Sequence, residues 1–259
     1  MLLLVAADII VPLCFAALNL QQFQEHHCGD GTPSGIYSSS ERNVPNLDHV
    51  IVFQGGGACW SDDDCLDKIE KTPEKFSSRN YPQTIKGEMI LSEYASENVD
   101  GLENAAKWFV PYCSQDGYLG VETDVLKDGS QLPRRTGSLQ FAQAIRHWAS
   151  NAIRPSRLVV VGISIGAMGV LNHLQELESA ASSAGLKMTD LVIILDSGIL
   201  SAHHIGLDSA TASYISSLTS RTMHPLCYEK NMGLGSLLGK SLPCCLSLTC
   251  MLARNQDTL

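Results

Sequence analysis

The sequence predicts an α/β fold in which a mostly parallel central sheet is flanked by helices. Four short apolar runs without alternation, at residues 50–53, 108–110, 158–161 and 191–195, are typical of strands buried on both faces. Helical periodicity occurs between the later runs, and strands that alternate with helices pair in parallel through right-handed crossovers. A chain of 259 residues is long enough to form one such domain with a substantial core.

The run at 158–161 leads directly into Gly-Ile-Ser-Ile-Gly at positions 162–166, and leucines at 171, 174 and 177 then recur at helical spacing. The glycines allow a sharp reversal that exposes the Ser164 hydroxyl, and the N-terminus of the following helix favours a negative oxygen beside it. The pattern predicts Ser164 as a catalytic nucleophile and the Ile165 N–H as an oxyanion donor. The alternative is a tight strand-to-helix turn with a small residue at its apex.

Three consecutive glycines, at positions 55–57, follow the strand predicted at 50–53. Glycines at such a place expose backbone N–H groups that no side chain shields, and such a loop completes the oxyanion hole of many esterases. The sequence therefore predicts Gly56 and Gly57 as further oxyanion donors. The alternative is a flexible turn.

Other segments are assigned from periodicity and composition. Apolar residues repeat at helical spacing over 138–153, which predicts a helix that Pro155 ends, with His147 on its surface. The Gly/Ser/Pro-rich stretch 28–40 is typical of a surface loop, and 61–103 of surface helices and loops, with three aspartates at 62–64 in a solvated loop rather than a metal site. His173 is interpreted as structural, and 246–253 as a further strand.

Net charge and cysteine content limit the classes of function that the sequence is compatible with. A net charge of −9 argues against a polyanionic partner such as nucleic acid. Nine cysteines without zinc-ligand spacing indicate an oxidising compartment and no metal. The spacing of Cys59 and Cys65 is compatible with a short disulfide between them, and the sequence leaves the other connectivities open.

Residues 1–20 are typical of either a signal peptide or an N-terminal strand, and a single domain is predicted over 21–259. Asp8 and Pro12 argue against a stable membrane span.

Four motifs in fixed order resemble the pectin acetylesterase/Notum family of carboxylesterases. They are CGDGTPSGIY from position 28, FQGGGACW from 53, FVPYCSQD from 109 and GISIGAMG from 162, and Asp-Ser-Gly at 196–198 adds a fifth. The resemblance covers about residues 28–200. It implies an α/β-hydrolase fold, secretion, disulfides, no metal or cofactor, and a serine, aspartate and histidine triad.

Transferred to this sequence, the resemblance makes Ser164 the nucleophile and Gly56, Gly57 and Ile165 the oxyanion donors. Asp257 stands at about the distance expected for the acid. The family's histidine follows the acid, and no residue matches it, so the resemblance implies a domain that is incomplete at the C-terminus. A second arrangement would use Asp196 with His203 or His204.

The implied function is hydrolysis of an acyl ester, acetyl or lipid, through an acyl-enzyme. The expected substrate is an acylated polysaccharide, a lipidated protein or a small ester, and the expected location is the secretory pathway. The alternative is a secreted binding protein or truncated isoform that keeps the pocket but lacks the catalytic histidine.

Overall fold

The computed structural model describes residues 17–59, 61–92, 102–121 and 133–197. Within these ranges seven strands form one sheet in the order β4-β1-β2-β5-β3-β6-β7, and four α-helices accompany it. The strands are β1 (Ala17–His27), β2 (Pro33–Ser38), β3 (Asp48–Phe53), β4 (Thr84–Lys86), β5 (Ala106–Val110), β6 (Arg157–Ile163) and β7 (Leu191–Asp196). The helices are α1 (Asp62–Lys71), α2 (Gly137–Asn151), α3 (Ile165–Asn172) and α4 (Leu174–Ser183).

The four strands predicted from apolar runs are all present and form the parallel half of the sheet. β7 was predicted as buried but is only partly buried among the described residues, with Val192 38% exposed. β3 pairs in parallel with both β5 and β6, and β6 pairs in parallel with β7. Successive residues of β3 alternate between two cores: Ile51 and Phe53 pack with the helices, whereas Val50 and Val52 pack on the opposite face. The predicted α/β fold is confirmed, but the sheet is mixed, because β1, β2 and β4 add antiparallel pairs at one side.

The stretch 28–40, predicted as a surface loop, instead contains the buried strand β2. Ile36 and Tyr37 are fully or almost fully buried in it. Glycine is required at position 35 because β1 and β2 approach closely there: a β-carbon on Gly35 would lie 2.8 Å from the Gln21 backbone oxygen of β1. The Ser34 hydroxyl satisfies the His26 backbone oxygen at 2.8 Å. The prediction was wrong because small residues that are typical of turns serve here to pair two strands closely.

Helix α2 confirms the predicted helix at 138–153 to within two residues, with Phe141, Ile145 and Trp148 buried on its inner face. The leucine pattern after Ser164 covers two helices rather than one, because His173 leaves the helical conformation between α3 and α4. The aspartates at 62–64 are also not in a loop. They form the first turn of α1, whose N-cap Ser61 accepts a hydrogen bond from Asp64 N, and carboxylates there complement the helix dipole.

At the amino end of β3, His49 lies between two tryptophans in the core. Its Nδ1 accepts hydrogen bonds from the indole N–H groups of Trp108 and Trp148, at 3.3 and 3.0 Å. The side chain is fully buried, and burial lowers the pKa of His49 to about 4. A neutral imidazole with Nδ1 as the acceptor is therefore the form that the fold requires.

Some predictions fall outside the described ranges. They are the first 16 residues of the segment interpreted as a signal peptide or strand, and the strand predicted at 246–253. Residues 17–20 are the start of β1, so the boundary predicted after residue 20 falls within a strand. Over the ranges that are described, no helix combines the length and the apolar content needed to cross a bilayer.

Candidate active site

Ser164 occupies a strained turn between β6 and α3. Its backbone has φ 52° and ψ −119°, a left-handed region that residues other than glycine rarely adopt. The turn is fixed on both sides, since Ser164 N donates to the Asp196 backbone oxygen at 2.7 Å and Ala167 N donates to the Ser164 oxygen at 3.0 Å. The residue is exposed at the carboxyl edge of the parallel strands. This is the side-chain placement that a nucleophile needs.

The glycines on either side of Ser164 are required by close packing. A β-carbon at Gly162 would overlap the Ala167 backbone, and one at Gly166 would overlap the Phe53 carbonyl oxygen at the end of β3. Helix α3 therefore begins directly against the ends of β6 and β3. Its first turn, including Ile165 N–H, stands next to the serine.

The glycine loop (residues 55–57) lies directly beside Ser164. A β-carbon at Gly55 would be 2.9 Å from Ser164 Cβ and 2.6 Å from the Ile163 backbone oxygen. Gly56 and Gly57 have φ of 150° and 77°, and both are exposed. Among the described residues, the N–H groups of the glycine loop have no hydrogen-bond partner. The structure thus brings together the serine and the loop predicted to act with it, and leaves amides near the serine available to a ligand.

Disulfides hold both segments that flank this edge. Cys59 is bonded to Cys65, which confirms the predicted short bridge and ties the end of the glycine loop to α1. Cys28 is bonded to Cys113 across 85 residues, a pairing that the sequence did not indicate. This second bridge fixes the segment after β5 to the turn between β1 and β2.

The five histidines in the described ranges lie in β1, β3 and α2 and between α3 and α4. His49 lies at the opposite edge of the sheet, and His173 Nε2 is 2.8 Å from the Tyr118 backbone oxygen, in keeping with its predicted structural role. His147 is not a surface residue as predicted; it is half-buried, and its Nε2 is 2.5 Å from Gln21 Oε1 on β1. His26 and His27 belong to β1. No hydrogen bond joins Ser164 Oγ to any of these five rings.

The remaining predicted site residues are only partly placed. Asp196 lies at the end of β7, where its carboxylate accepts a hydrogen bond from Ser197 Oγ at 2.7 Å. Asp257, His203 and His204 lie outside the described residues. Within the described part of the chain, no group of three or more His, Cys, Asp or Glu side chains is arranged to hold a metal ion.

The family follows from the sequence comparison. The sequence model of the pectinacetylesterase family matches residues 10–222. The chain belongs to the pectinacetylesterase family. The matched range includes the glycine loop, the segment after β5 and the Ser164 turn. The resemblance drawn from the four motifs is thereby confirmed.

Similar family members include palmitoleoyl-protein carboxylesterases. The chain is 29% identical over 172 residues to notum2 of Xenopus laevis and 27% identical over 172 residues to NOTUM of Homo sapiens. Each match covers 66% of this chain but 34% of the relative. The chain is also 38% identical over 104 residues to the inactive palmitoleoyl-protein carboxylesterase notum1b of Danio rerio. That match covers 40% of this chain and 73% of the relative. The chain thus spans about a third of the length of the first two relatives.

The fold of this family member resembles the Drosophila Wnt deacylase Notum. That structure superposes with a TM-score of 0.70 and 19% identity over 89% of this chain and 68% of the other. At that identity the likeness establishes the α/β-hydrolase-like fold. It does not by itself transfer a substrate.

Residues behind the glycine loop were not predicted from the sequence. Gln54, Asp116 and Tyr118 connect the loop to the end of β5 and to α2. The signal was present in the motif FVPYCSQD and in the residues that follow it, but nothing in the sequence pairs position 118 with position 54.

Proposed function

We propose that this chain is a serine carboxylesterase that removes an acyl group, acetyl or lipid, from a protein or a polysaccharide through an acyl-enzyme on Ser164. The observation that carries the proposal is the exposed, strained Ser164 beside the unpaired amides of the glycine loop. Backbone strain at an exposed nucleophile is typical of the turn that presents the serine in α/β-hydrolases. Membership of the pectinacetylesterase family supports an ester as the bond that is cleaved.

In the proposed mechanism, Ser164 Oγ attacks the acyl carbonyl carbon, and the N–H groups of Gly56, Gly57 and Ile165 stabilise the oxyanion. Such donors are preorganised because they belong to the backbone, and one oxyanion donor contributes about 10² to 10³ in kcat. A histidine oriented by an aspartate would take the serine proton and return it to the leaving group. We propose Asp257 as that aspartate. No cofactor takes part.

The substrate class follows from the relatives. Two of them are named palmitoleoyl-protein carboxylesterases, and the superposed structure is named a Wnt deacylase. A lipidated protein is therefore the first substrate to test, and an acetylated polysaccharide is the second because of the family name. The two buried disulfides support location in the secretory pathway, where such bonds persist.

A fluorophosphonate probe tests the proposal, because it labels serines that are activated for acyl transfer. We expect labelling at Ser164, located by peptide mass spectrometry, and its loss in Ser164→Ala. Ser197→Ala is the matched control: Ser197 is also exposed, has φ of 55° and directly follows the adjacent strand β7, but no glycine loop faces it in the described residues. Absence of labelling in a folded wild-type sample, or labelling that persists in Ser164→Ala, would contradict the proposal.

The second candidate is an acyl-binding protein that has lost the chemistry. The observation in its favour is the similarity to a zebrafish relative whose name states that it is inactive. This candidate predicts that the chain binds a palmitoleoylated peptide without releasing the fatty acid. Release of free palmitoleate, measured by mass spectrometry, separates the two functions.

A further inference from the structure

The segment after β5 anchors the residue that precedes the glycine loop. Tyr118 is fully buried, and its hydroxyl donates a hydrogen bond to the Gln54 carbonyl oxygen at 3.0 Å. Gln54 N donates to the Val110 oxygen at 3.0 Å, and Gln54 Oε1 accepts from Tyr112 N at 2.9 Å. Three atoms of Gln54 are therefore bonded to one segment, residues 110–118, although its side chain remains exposed.

The bond to Tyr118 determines the orientation of the next peptide group. The described chain has no cis peptide bonds, and in a trans peptide the carbonyl oxygen and the following N–H point in opposite directions. Because the Gln54 oxygen points to the Tyr118 hydroxyl, the Gly55 N–H points away from it. Three successive glycines have little conformational preference of their own, so an external anchor must select one arrangement of their amides.

The far end of the loop is held by the same segment. Cys59 N donates to the Gln115 backbone oxygen at 2.8 Å. Gln115 and Tyr118 both have positive φ, 51° and 60°, which is an uncommon conformation for residues with side chains. The two residues that bond the two ends of the loop are thus the strained ones, and strain of this kind persists only where surrounding structure enforces it.

A buried carboxylate, that of Asp116, and a cluster of aromatic rings hold Tyr118 in this conformation. Asp116 accepts hydrogen bonds from Tyr118 N at 3.1 Å, Ser114 Oγ at 2.6 Å and Gly137 N at 2.8 Å, the last at the start of α2. The Tyr118 ring packs against Phe53, Tyr112 and Phe141, with centroids 4.7–5.9 Å apart. Tyr118 is therefore fixed from both its backbone and its ring, and its hydroxyl has a defined position.

We propose that Tyr118 is a positioning residue: its hydroxyl fixes the peptide between Gln54 and Gly55, so that the amides of the glycine loop are held facing the Ser164 hydroxyl. Tyr118 is buried and acts through Gln54 rather than by contact with a substrate. The consequence for turnover rests on the proposed esterase function, whereas the consequence for the loop does not.

The test compares Tyr118→Phe with Tyr37→Phe. Tyr37 is the matched control, because its side chain is almost fully buried and its hydroxyl also donates to a backbone carbonyl, that of Pro82 at 2.8 Å, remote from the loop. Amide hydrogen exchange of residues 54–59 and the kcat and KM for p-nitrophenyl acetate are measured on both variants. Thermal unfolding confirms that each variant is folded.

For Tyr118→Phe we expect roughly tenfold faster exchange of the Gln54 and Cys59 amides, which flank the glycine loop and are hydrogen-bonded to the Val110 and Gln115 oxygens. We also expect a kcat lower by about 10 to 100-fold with KM unchanged, because displacement of catalytic groups by about 1 Å costs on the order of 10² in rate. The control should match the wild type in both measurements. Unchanged exchange of the Gln54 and Cys59 amides, or a kcat equal to that of the control, would overturn the inference. If the wild type neither turns over the ester nor is labelled at Ser164, the esterase proposal fails, and the exchange measurement still decides whether Tyr118 fixes the loop.

Discussion

The distance between Ser164 and the glycine loop can be changed with a single methyl group. In Gly55→Ala the new β-carbon would lie 2.6 Å from the Ile163 oxygen and 2.9 Å from Ser164 Cβ, whereas ordinary contact begins at 3.4 Å. The loop must therefore move away from the serine by about 0.8 Å, because the Ile163 oxygen belongs to the backbone of β6 and does not yield easily. Overpacking of this kind lowers the free energy of unfolding by about 1 to 3 kcal/mol.

The effect on turnover should be larger than the effect on stability. Since a displacement of about 1 Å in catalytic groups costs on the order of 10² in rate, kcat for Gly55→Ala should fall by roughly that factor. Gly35→Ala is the matched control, because its β-carbon would also meet a backbone oxygen, that of Gln21 at 2.8 Å, in the β1 and β2 pair.

Thermal unfolding and p-nitrophenyl ester hydrolysis are measured on both variants. Both should lose a similar amount of stability, and only Gly55→Ala should lose turnover. Full turnover in Gly55→Ala, or an equal loss in Gly35→Ala, would refute the placement of the glycine loop against Ser164.

Two further predictions concern stability. The folded chain holds His49 neutral with a pKa of about 4, so between pH 6.5 and 4 the unfolded chain binds more protons, and the free energy of unfolding of the wild type falls by about 3 kcal/mol as the pH falls. In His49→Gln, which cannot titrate, the free energy of unfolding measured in urea at several pH values should fall less over this window. Equal dependence on pH in the two proteins would contradict the assignment. The two disulfides enclose loops of very different length, with sequence separations of 85 and 6. Replacing Cys28 and Cys113 by serine should therefore lower the free energy of unfolding by about 4.5 kcal/mol, and replacing Cys59 and Cys65 by about 2 kcal/mol. Equal losses in denaturant unfolding would show that loop entropy does not determine how much each disulfide stabilises the fold.

The sequence predicted the parts of the fold whose signal is local. The parallel strands β3, β5, β6 and β7 contain continuous apolar runs, and α2 has a clear helical period, so each was recognisable without knowledge of its neighbours. The Ser164 turn was recognisable for the same reason, because strand, glycines and helix are contiguous.

The features that were missed depend on contacts between distant segments. β2 has the composition of a turn and is a strand only because Gly35 allows close approach to β1. The break at His173 has no helix-breaking residue; there the ring stacks on Phe141 at 4.4 Å and bonds the Tyr118 oxygen. The bond from Tyr118 to Gln54 joins residues 64 apart. Local composition carries no record of such pairings.

A crystal structure of the chain after reaction with a phosphonate ester is the most direct measurement of the central claim, that Ser164 and the glycine loop form one acyl-transfer site. We expect phosphorus bonded to Ser164 Oγ, with a phosphonyl oxygen about 2.7–3.1 Å from the amides of Gly56, Gly57 and Ile165. Phosphorus on another residue, or a phosphonyl oxygen turned away from the glycine loop, would contradict the claim.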